Sequence, residues 1–145
     1  MEGSERQAAL ANVLSRACAL IGVELGAIAD GLGLPVPRGN LHTKGWSGQI
    51  LEQELGVEVG GTRGPDFAAL GLELKTVPVD PEGRPLESTA VCQIDPIAIA
   101  AESWDTSYVK HKLAEVLFVA LEVNDRAQGV GDRRVSAAQT ILIMR

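Results

Sequence analysis

Cysteine and long apolar runs are both scarce in this sequence of 145 residues. The only two cysteines, Cys18 and Cys92, lie in apolar stretches with helical and strand character, so we expect buried free thiols rather than a disulfide or a metal pair. No apolar run approaches the roughly 20 residues that span a membrane, and the first residues lack the basic region of a signal peptide. These absences predict a cytoplasmic protein with no membrane attachment.

Net positive charge is also lacking. The 13 lysines and arginines are outnumbered by 19 acidic residues, which gives a formal net charge of −6. Proteins that bind nucleic acids usually carry a basic surface, because cations displace the counterions of the phosphates. The composition therefore disfavours a nucleic-acid partner, unless several carboxylates belong to a metal site and the bases clustered at residues 110–112 and 126–134 form local basic patches.

The remaining composition is that of a globular protein. Apolar residues make up 46% of the chain and charged residues 22%, and no internal repeat or low-complexity tract interrupts it. A chain of this length can build one well-formed core but is short for two domains. We therefore expect a single domain that spans residues 1–145.

Apolar residues recur at helical spacing in the first part of the chain. The pattern predicts a first helix that begins with a capping box at Ser4 and ends at Gly22. It also predicts a short second helix near residues 24–30 and a third helix from residue 44 to a C-cap at Gly56. The apolar stripes are Leu10, Val13, Leu14, Ala17, Cys18 and Ile21 in the first helix and Trp46, Ile50, Leu51 and Leu55 in the third.

The later part of the chain has the patterns of strands. A strand begins at Leu70 and continues to Val77, after which Pro78 weakens it. A turn at residues 80–85 leads into a second strand near residues 88–94, so that the two form a β-hairpin. The elements predicted after the hairpin are, in order, a helix near residues 106–113, a strand at 116–121 that is buried on both faces, a polar loop at 124–134 and a last strand at 141–144.

One stretch around the first strand sets charged side chains against an apolar background. Because side chains alternate along a strand, its leucines share one face while Glu73 and Lys75 share the other, and Asp66 precedes the strand. An Asp followed by Glu-x-Lys is the layout of a metal-dependent site that cleaves phosphodiesters. Asp66 and Glu73 offer hard oxygen ligands to Mg²⁺, and Lys75 can steady a water or a phosphate oxygen.

The acid-x-lysine triplet alone is a weak signal, because about half such a triplet is expected by chance at this composition. An ion pair on a solvated strand face is therefore an alternative interpretation of Glu73 and Lys75. Glu52 on the third helix strengthens the site hypothesis. It follows Leu51 and lies nearer the buried stripe than an ordinary surface Glu, and a buried Glu needs a metal or a lysine as its partner. An exposed helical Glu is the alternative interpretation of Glu52.

Several longer sequence motifs, called words below, resemble those of a known family. The words are Lys44-Gly45-Trp46-x-Gly48, Glu52, Asp66-Phe67-Ala68-Ala69-Leu70-Gly71-Leu72-Glu73-Leu74-Lys75-Thr76, Pro78-Val79-Asp80, Gly83-Arg84-Pro85-Leu86-Glu87, Thr106-Ser107-x-Val109-x-His111-Lys112-Leu113 and Arg133-Arg134-Val135. In these words the chain resembles the MutH family of DNA mismatch-repair endonucleases, from about residue 25 to residue 135. After Val135 the words no longer match well.

The resemblance implies a fold class. Members of the family resemble type II restriction enzymes, so we expect an α/β (α+β), restriction-endonuclease-like core in which a mixed β-sheet with a β-hairpin is flanked by helices. It also implies a domain that is incomplete at its C-terminus, because family members continue through a second lobe that reads the GATC bases and senses the methyl group. The acidic net charge fits the loss of a basic recognition surface.

The resemblance also implies an activity. The family's endonuclease acts in methyl-directed mismatch repair and uses Mg²⁺ to nick the unmethylated strand of double-stranded DNA at hemimethylated GATC sites, after the mismatch signal arrives through MutS and MutL. By position, Asp66 and Glu73 would be metal ligands and Lys75 would position or activate the attacking water. Glu52 would complete the acidic cluster, and Lys112 would be an auxiliary lysine facing the scissile phosphate.

Two further residues are candidates for DNA contact, and two other functions are alternatives to the nicking endonuclease. The resemblance makes Lys44 and His111 candidates for DNA contact, with ordinary solvated surface residues as the alternative. A restriction-type endonuclease that cuts both strands at GATC without a mismatch partner would use the same chemistry. A truncated, non-catalytic module that only binds MutL or DNA would use none of it.

Overall fold

The computed structural model describes residues 3–38, 45–56, 67, 70–88, 96–103, 114–125 and 129–142. Helices dominate the first part of these ranges and strands the later part, as the two periodicities predict. In chain order the elements are α1 (Gly3–Ala19), α2 (Leu25–Gly31), α3 (Trp46–Leu55), β1 (Leu72–Val79), α4 (Pro96–Ala101), β2 (Glu115–Glu122), a short 3-10 helix (Val130–Asp132) and β3 (Arg134–Leu142).

The described strands form one mixed sheet in the order β1-β2-β3. β1 runs parallel to β2, with Glu73 opposite Val116 and Lys75 opposite Phe118, whereas β3 runs antiparallel to β2. Parallel neighbours need a long crossover connection, and the chain between β1 and β2 provides it. Helices combined with a mixed sheet confirm the predicted fold class.

The turn after β1 reverses the chain, as the sequence predicts. The backbone N–H of Leu86 donates to the carbonyl of Pro78 at 2.9 Å, and Val79 forms an isolated antiparallel bridge with Pro85. Residues 89–94 of the strand that would complete the hairpin lie outside the described residues. The helix predicted near residues 106–113 lies outside them too, so both elements stay predictions.

α1 confirms the first predicted helix but not the whole of its buried stripe. Val13 and Ala17 are buried, whereas Ile21, beyond the end of the helix, is 49% exposed. The prediction of a buried Cys18 thiol was wrong, because Cys18 is exposed. The helix packs against α3 and β3 along a narrow stripe, and Cys18 lies at its margin. Ser4 lies inside the helix rather than at its cap.

α2 and α3 lie where the sequence predicts them. α2 buries Leu25, and α3 buries all four residues of its predicted stripe. Gly45 and Gly56 bound α3 with left-handed backbone, at φ 80° and 83°. Glycine adopts this conformation without steric cost, so the two residues define where the helix begins and ends. α3 packs against β1.

β1 begins and ends later than predicted. Leu70 and Gly71 form a tight turn, with Gly71 at φ 64°, and the strand begins at Leu72. Pro78 does not end it, because Val79 still pairs with β2. A proline lacks the N–H that a sheet partner would accept, but it is tolerated in an edge strand, and β1 lies at an edge of the described sheet.

β2 confirms the predicted buried strand, and β3 corrects the predicted last strand. Val116 and Leu117 are consecutive and both fully buried, so β2 is covered on both faces there. β3 begins at Arg134 rather than at Ile141. Its small and polar residues show no hydrophobic alternation, and antiparallel pairing with β2 makes them a strand in spite of their composition.

The hydrophobic core lies between the helices and one face of the sheet. α1, α2 and α3 contribute apolar side chains to it, and the sheet contributes alternate residues of its strands, among them Leu72, Leu117 and Val135. Glu73 lies on the other face of β1, as alternation requires. Within the described ranges, no helix has both the length and the apolar character needed to cross a membrane.

Candidate functional site

The predicted Glu73 and Lys75 lie side by side on one face of β1. Lys75 Nζ is 3.5 Å from Glu73 Oε1, which confirms that the two side chains share a face. The Glu73 side chain is only 3% exposed, and the Lys75 side chain is 19% exposed. The alternative of an ion pair on a solvated strand face is therefore wrong.

Burial makes the Glu73 carboxylate depend on its partners for stabilisation of its charge. A carboxylate that leaves water loses several kcal/mol of hydration, so it stays charged only with compensating partners. Lys75 is one such partner for Glu73. Among the described residues, no buried side-chain oxygen or nitrogen is left without a hydrogen bond.

Glu52 occupies an intermediate position on α3. It follows the fully buried Leu51, and its own side chain is half-buried. The expectation that Glu52 lies nearer the buried stripe than a surface Glu is confirmed. α3 packs against β1, so the helix of Glu52 and the strand of Glu73 are neighbours. The catalytic role of Glu52 stays a prediction.

Four predicted site residues lie outside the described residues: Asp66, Lys112, Lys44 and His111. Phe67, the residue after Asp66 in the chain, is described, and it forms an antiparallel bridge with Leu72, the residue before Glu73. Within the described ranges, no cluster of three or more His, Cys, Asp or Glu side chains could hold a metal ion. The predicted ligand pair Asp66 and Glu73 is only half described, so its metal role stays a prediction.

The donor chemistry of the described carboxylates fits Mg²⁺. This ion prefers oxygen ligands and is usually bound through one or two carboxylates. Glu73 offers such an oxygen on a rigid strand, and Glu52 stands on the neighbouring helix. The cationic Lys75 beside Glu73 suits a site that would also contact a phosphate oxygen.

Arg6 takes part in the surroundings of the site, and sequence reasoning missed it. Its Nε and Nη2 donate to the carbonyl oxygen of Leu70 at 3.1 and 2.8 Å, and Nη2 also donates to Glu115 Oε2 at 2.9 Å. Leu70 lies in the turn that leads into β1, and Glu115 begins β2. These partners are 64 and 109 residues away in the chain, so no local pattern could have indicated them.

The turn at the other end of β1 has its own charged network. Asp80 Oδ1 accepts from the backbone N–H groups of Glu82 and Arg84, at 3.0 and 2.9 Å, and Oδ2 accepts from Arg84 Nε at 2.7 Å. The backbone N–H of Arg84 is the largest cause of a lowered pKa at Asp80, and the Arg84 guanidinium lowers this pKa further. The network stabilises the turn and lies at the opposite end of β1 from Glu73.

A cavity of about 570 Å³ lies apart from the carboxylates, between α3 and the irregular segment after α2. None of the described site residues Glu52, Glu73 and Lys75 contributes to its walls. Its lining consists of Leu34, Pro35, Val36, Pro37, Arg38, Trp46, Gln49, Ile50 and Gln53. The cavity is mostly apolar and is not part of the candidate metal site.

Comparison with known proteins places this chain among DNA mismatch repair proteins. The family model described as DNA mismatch repair enzyme MutH matches residues 55–144. The DNA mismatch repair protein MutH of Shewanella amazonensis is 46% identical over 129 residues, which are 89% of this chain and 57% of that protein. MutH of an Enterobacter species is 44% identical over 125 residues, 86% of this chain and 54% of that protein.

The chain belongs to the MutH family. This confirms the resemblance drawn from the sequence words, and the matched range contains Glu73 and Lys75. The match reaches residue 144, past Val135, where the words cease to match well. The chain spans about half the length of the curated relatives it matches.

Proposed function

We propose that this chain carries the catalytic part of a Mg²⁺-dependent DNA endonuclease of mismatch repair. The observation that carries the proposal is the buried Glu73 carboxylate with Lys75 Nζ at 3.5 Å on one face of β1. Membership of the MutH family supports it. The reaction is the hydrolysis of a phosphodiester bond, which leaves a nick in one DNA strand.

Each site residue has a chemical task in this proposal. Glu73 and Asp66 hold the metal ion through carboxylate oxygens, and Glu52 adds negative charge to the same cluster. Lys75 orients the attacking water, and Lys112 places positive charge beside the scissile phosphate. When bound, Mg²⁺ lowers the pKa of a water and offsets charge that develops on the phosphate.

The proposed substrate is double-stranded DNA with hemimethylated GATC sites, of which the unmethylated strand is nicked. Lys44 and His111 would contact the DNA. The proposed partners are MutL directly and MutS through it, and the proposed location is the cytoplasm. The net charge of −6 is unfavourable for tight DNA binding by this chain alone, so we expect its affinity for DNA to be low and to depend steeply on salt.

A plasmid assay tests both the reaction and its target. The chain is incubated with supercoiled plasmids that carry hemimethylated, unmethylated or no GATC sites, with Mg²⁺ or with EDTA, and with or without MutL. Nicked circles that form only with Mg²⁺ and only on the hemimethylated and unmethylated GATC plasmids are expected. Linear product without MutL would favour the restriction-type endonuclease instead, and nicking in EDTA would contradict the proposal.

A non-catalytic binding module is the second candidate function. The observation that favours it is the net charge of −6, which suits a protein partner better than a DNA substrate. Calorimetry separates it from the enzyme. A chain that binds MutL but takes up no Mg²⁺ and nicks no DNA would be the module, whereas Mg²⁺ uptake with nicking identifies the endonuclease.

A further inference from the structure

The turn that leads into β1 is closed by reciprocal backbone hydrogen bonds. The N–H of Phe67 donates to the carbonyl of Leu72 at 2.8 Å, and the N–H of Leu72 donates back to Phe67 at 3.2 Å. Asp66 precedes Phe67 in the chain, and Glu73 follows Leu72. The site turn, defined by its described residues 67 and 70–72, therefore lies between the two predicted metal ligands in the chain and is closed by this pair of backbone bonds.

Arg6 connects the site turn to two other elements. Its guanidinium donates twice to the carbonyl of Leu70, at 3.1 and 2.8 Å, and once to Glu115 Oε2, at 2.9 Å. Leu72 at the end of the turn is the register partner of Glu115 in β2. One planar group on α1 thus fixes both the turn and the strand beside it, which the single ammonium of a lysine would not match.

We propose that Arg6 is a positioning residue, which holds the site turn so that the residues on either side of it keep the spacing of a metal site. It touches neither substrate nor metal and acts through the Leu70 carbonyl. Metal ligands must be held within about 0.5 Å of their productive geometry, and a loop reaches that precision only with supporting contacts. The part of the inference that concerns Mg²⁺ rests on the proposed function.

The test compares Arg6→Gln with a matched arginine variant. Arg134 also donates to one backbone carbonyl, that of Gly22 at 3.1 Å, and to one carboxylate, Glu24 Oε1 at 2.7 Å. Arg134→Gln therefore removes the same kinds of bond elsewhere in the molecule. Glu115→Gln removes only the charged partner of Arg6 and leaves its two bonds to the Leu70 carbonyl.

Amide hydrogen exchange measures the stability of the site turn in the absence of any metal. Arg6→Gln is expected to speed exchange at Phe67 and Leu72 at least tenfold beyond any global change, while Arg134→Gln leaves both amides within about twofold of the wild type. Unchanged exchange at these amides in Arg6→Gln would overturn the proposal. Where Arg6→Gln folds poorly because Glu115 is left unpaired, Arg6→Gln combined with Glu115→Gln replaces it.

Calorimetric titration with MgCl₂ then tests whether Arg6 supports metal binding, by measuring the affinity for Mg²⁺. Loss of a supporting contact behind a ligand typically lowers metal affinity 10- to 100-fold, so Arg6→Gln should lose at least tenfold, while Glu115→Gln and Arg134→Gln stay within about twofold. Equal losses in Arg6→Gln and Arg134→Gln would mark a general loss of stability and overturn the proposal. A wild-type chain that binds no Mg²⁺ would refute both the proposed function and the role of Arg6 in metal binding. The exchange rates would still decide whether Arg6 holds the site turn.

Discussion

At the scale of single residues, burial separates Glu73 and Lys75 from an ordinary surface ion pair. Exposed pairs contribute between zero and about 1 kcal/mol, because water screens them and both side chains lose freedom. The Glu73 side chain is 3% exposed, so its charge depends on the groups around it. We therefore expect the two residues to act as a coupled pair in stability as well as in chemistry.

A double-mutant cycle measures this coupling. Lys75→Met removes the lysine partner of a buried carboxylate and should lower the free energy of unfolding by about 1 to 3 kcal/mol. Glu73→Gln with Lys75→Met should regain most of that stability in urea unfolding but regain no nicking. Additive losses in the double variant would show that the two side chains do not depend on each other.

Gly71 is a second residue whose identity the backbone requires. Its φ of 64° costs an L side chain about 1 kcal/mol, although no atom of the described residues lies within 4 Å of the added Cβ. Gly71→Ala should therefore destabilise the fold by about 1 kcal/mol in urea unfolding. Gly48 inside α3 is the matched control, because a Cβ there also meets no atom of the described part of the chain within 4 Å and the backbone is helical. Gly48→Ala should be neutral or stabilising, and equal effects at the two positions would contradict the conformational explanation.

At the scale of elements, sequence periodicity predicted the features that depend on neighbouring residues in the chain. The stripe of α3 and the shared face of Glu73 and Lys75 follow from periodicity, and both are confirmed. β3 was placed too late, because its small polar residues become a strand only through pairing with β2. The contacts of Arg6 escaped prediction for the same reason, since they join residues far apart in the chain.

The turn between Asp80 and Arg84 gives an element-scale prediction about pH. The folded state lowers the pKa of Asp80 below its ordinary value of 3.8, mainly through the backbone N–H of Arg84. A lowered folded pKa means that the carboxylate contributes stability above pH 3.8, and that this contribution is lost as pH falls through the folded pKa. Urea unfolding should find Asp80→Asn less stable than the wild type at pH 7, with a difference that shrinks below about pH 4. A constant difference from pH 7 to pH 2 would show that the charge is not responsible.

At the scale of the whole molecule, β3 is the last strand of the described sheet, and its first residues pair on their outer side with the segment before α2: Gly22 N–H donates to the Val135 carbonyl at 2.7 Å, and Val135 N–H donates to the Val23 carbonyl at 3.0 Å. From Ser136 to Leu142, β3 carries no charged residue and no proline, and Ile141 and Leu142 are 40% and 47% exposed. Natural edge strands are usually blunted by charges, prolines or a covering element, because an open edge pairs with other chains. The chain should therefore self-associate as its concentration rises, although its net charge of −6 opposes this.

One charged substitution at this edge tests the expectation. Ile141→Lys should shift sedimentation velocity profiles toward the monomer at concentrations where the wild type associates. Ile21→Lys is the control, since Ile21 is a comparably exposed isoleucine, at 49%, outside the sheet. Equal effects of both substitutions would attribute the change to net charge rather than to the edge of β3.

In the proposed function, Glu73 serves a Mg²⁺-dependent nicking reaction. The most direct measurement is the initial nicking rate on a hemimethylated GATC plasmid as MgCl₂ is raised, for the wild type, Glu73→Gln and Glu122→Gln, with MutL present throughout. Glu122, a half-buried carboxylate at the far end of β2, is the matched control. We expect saturable, Mg²⁺-dependent nicking by the wild type and by Glu122→Gln, and a loss of at least 100-fold in Glu73→Gln with the fold retained. Wild-type rates in a folded Glu73→Gln would contradict it.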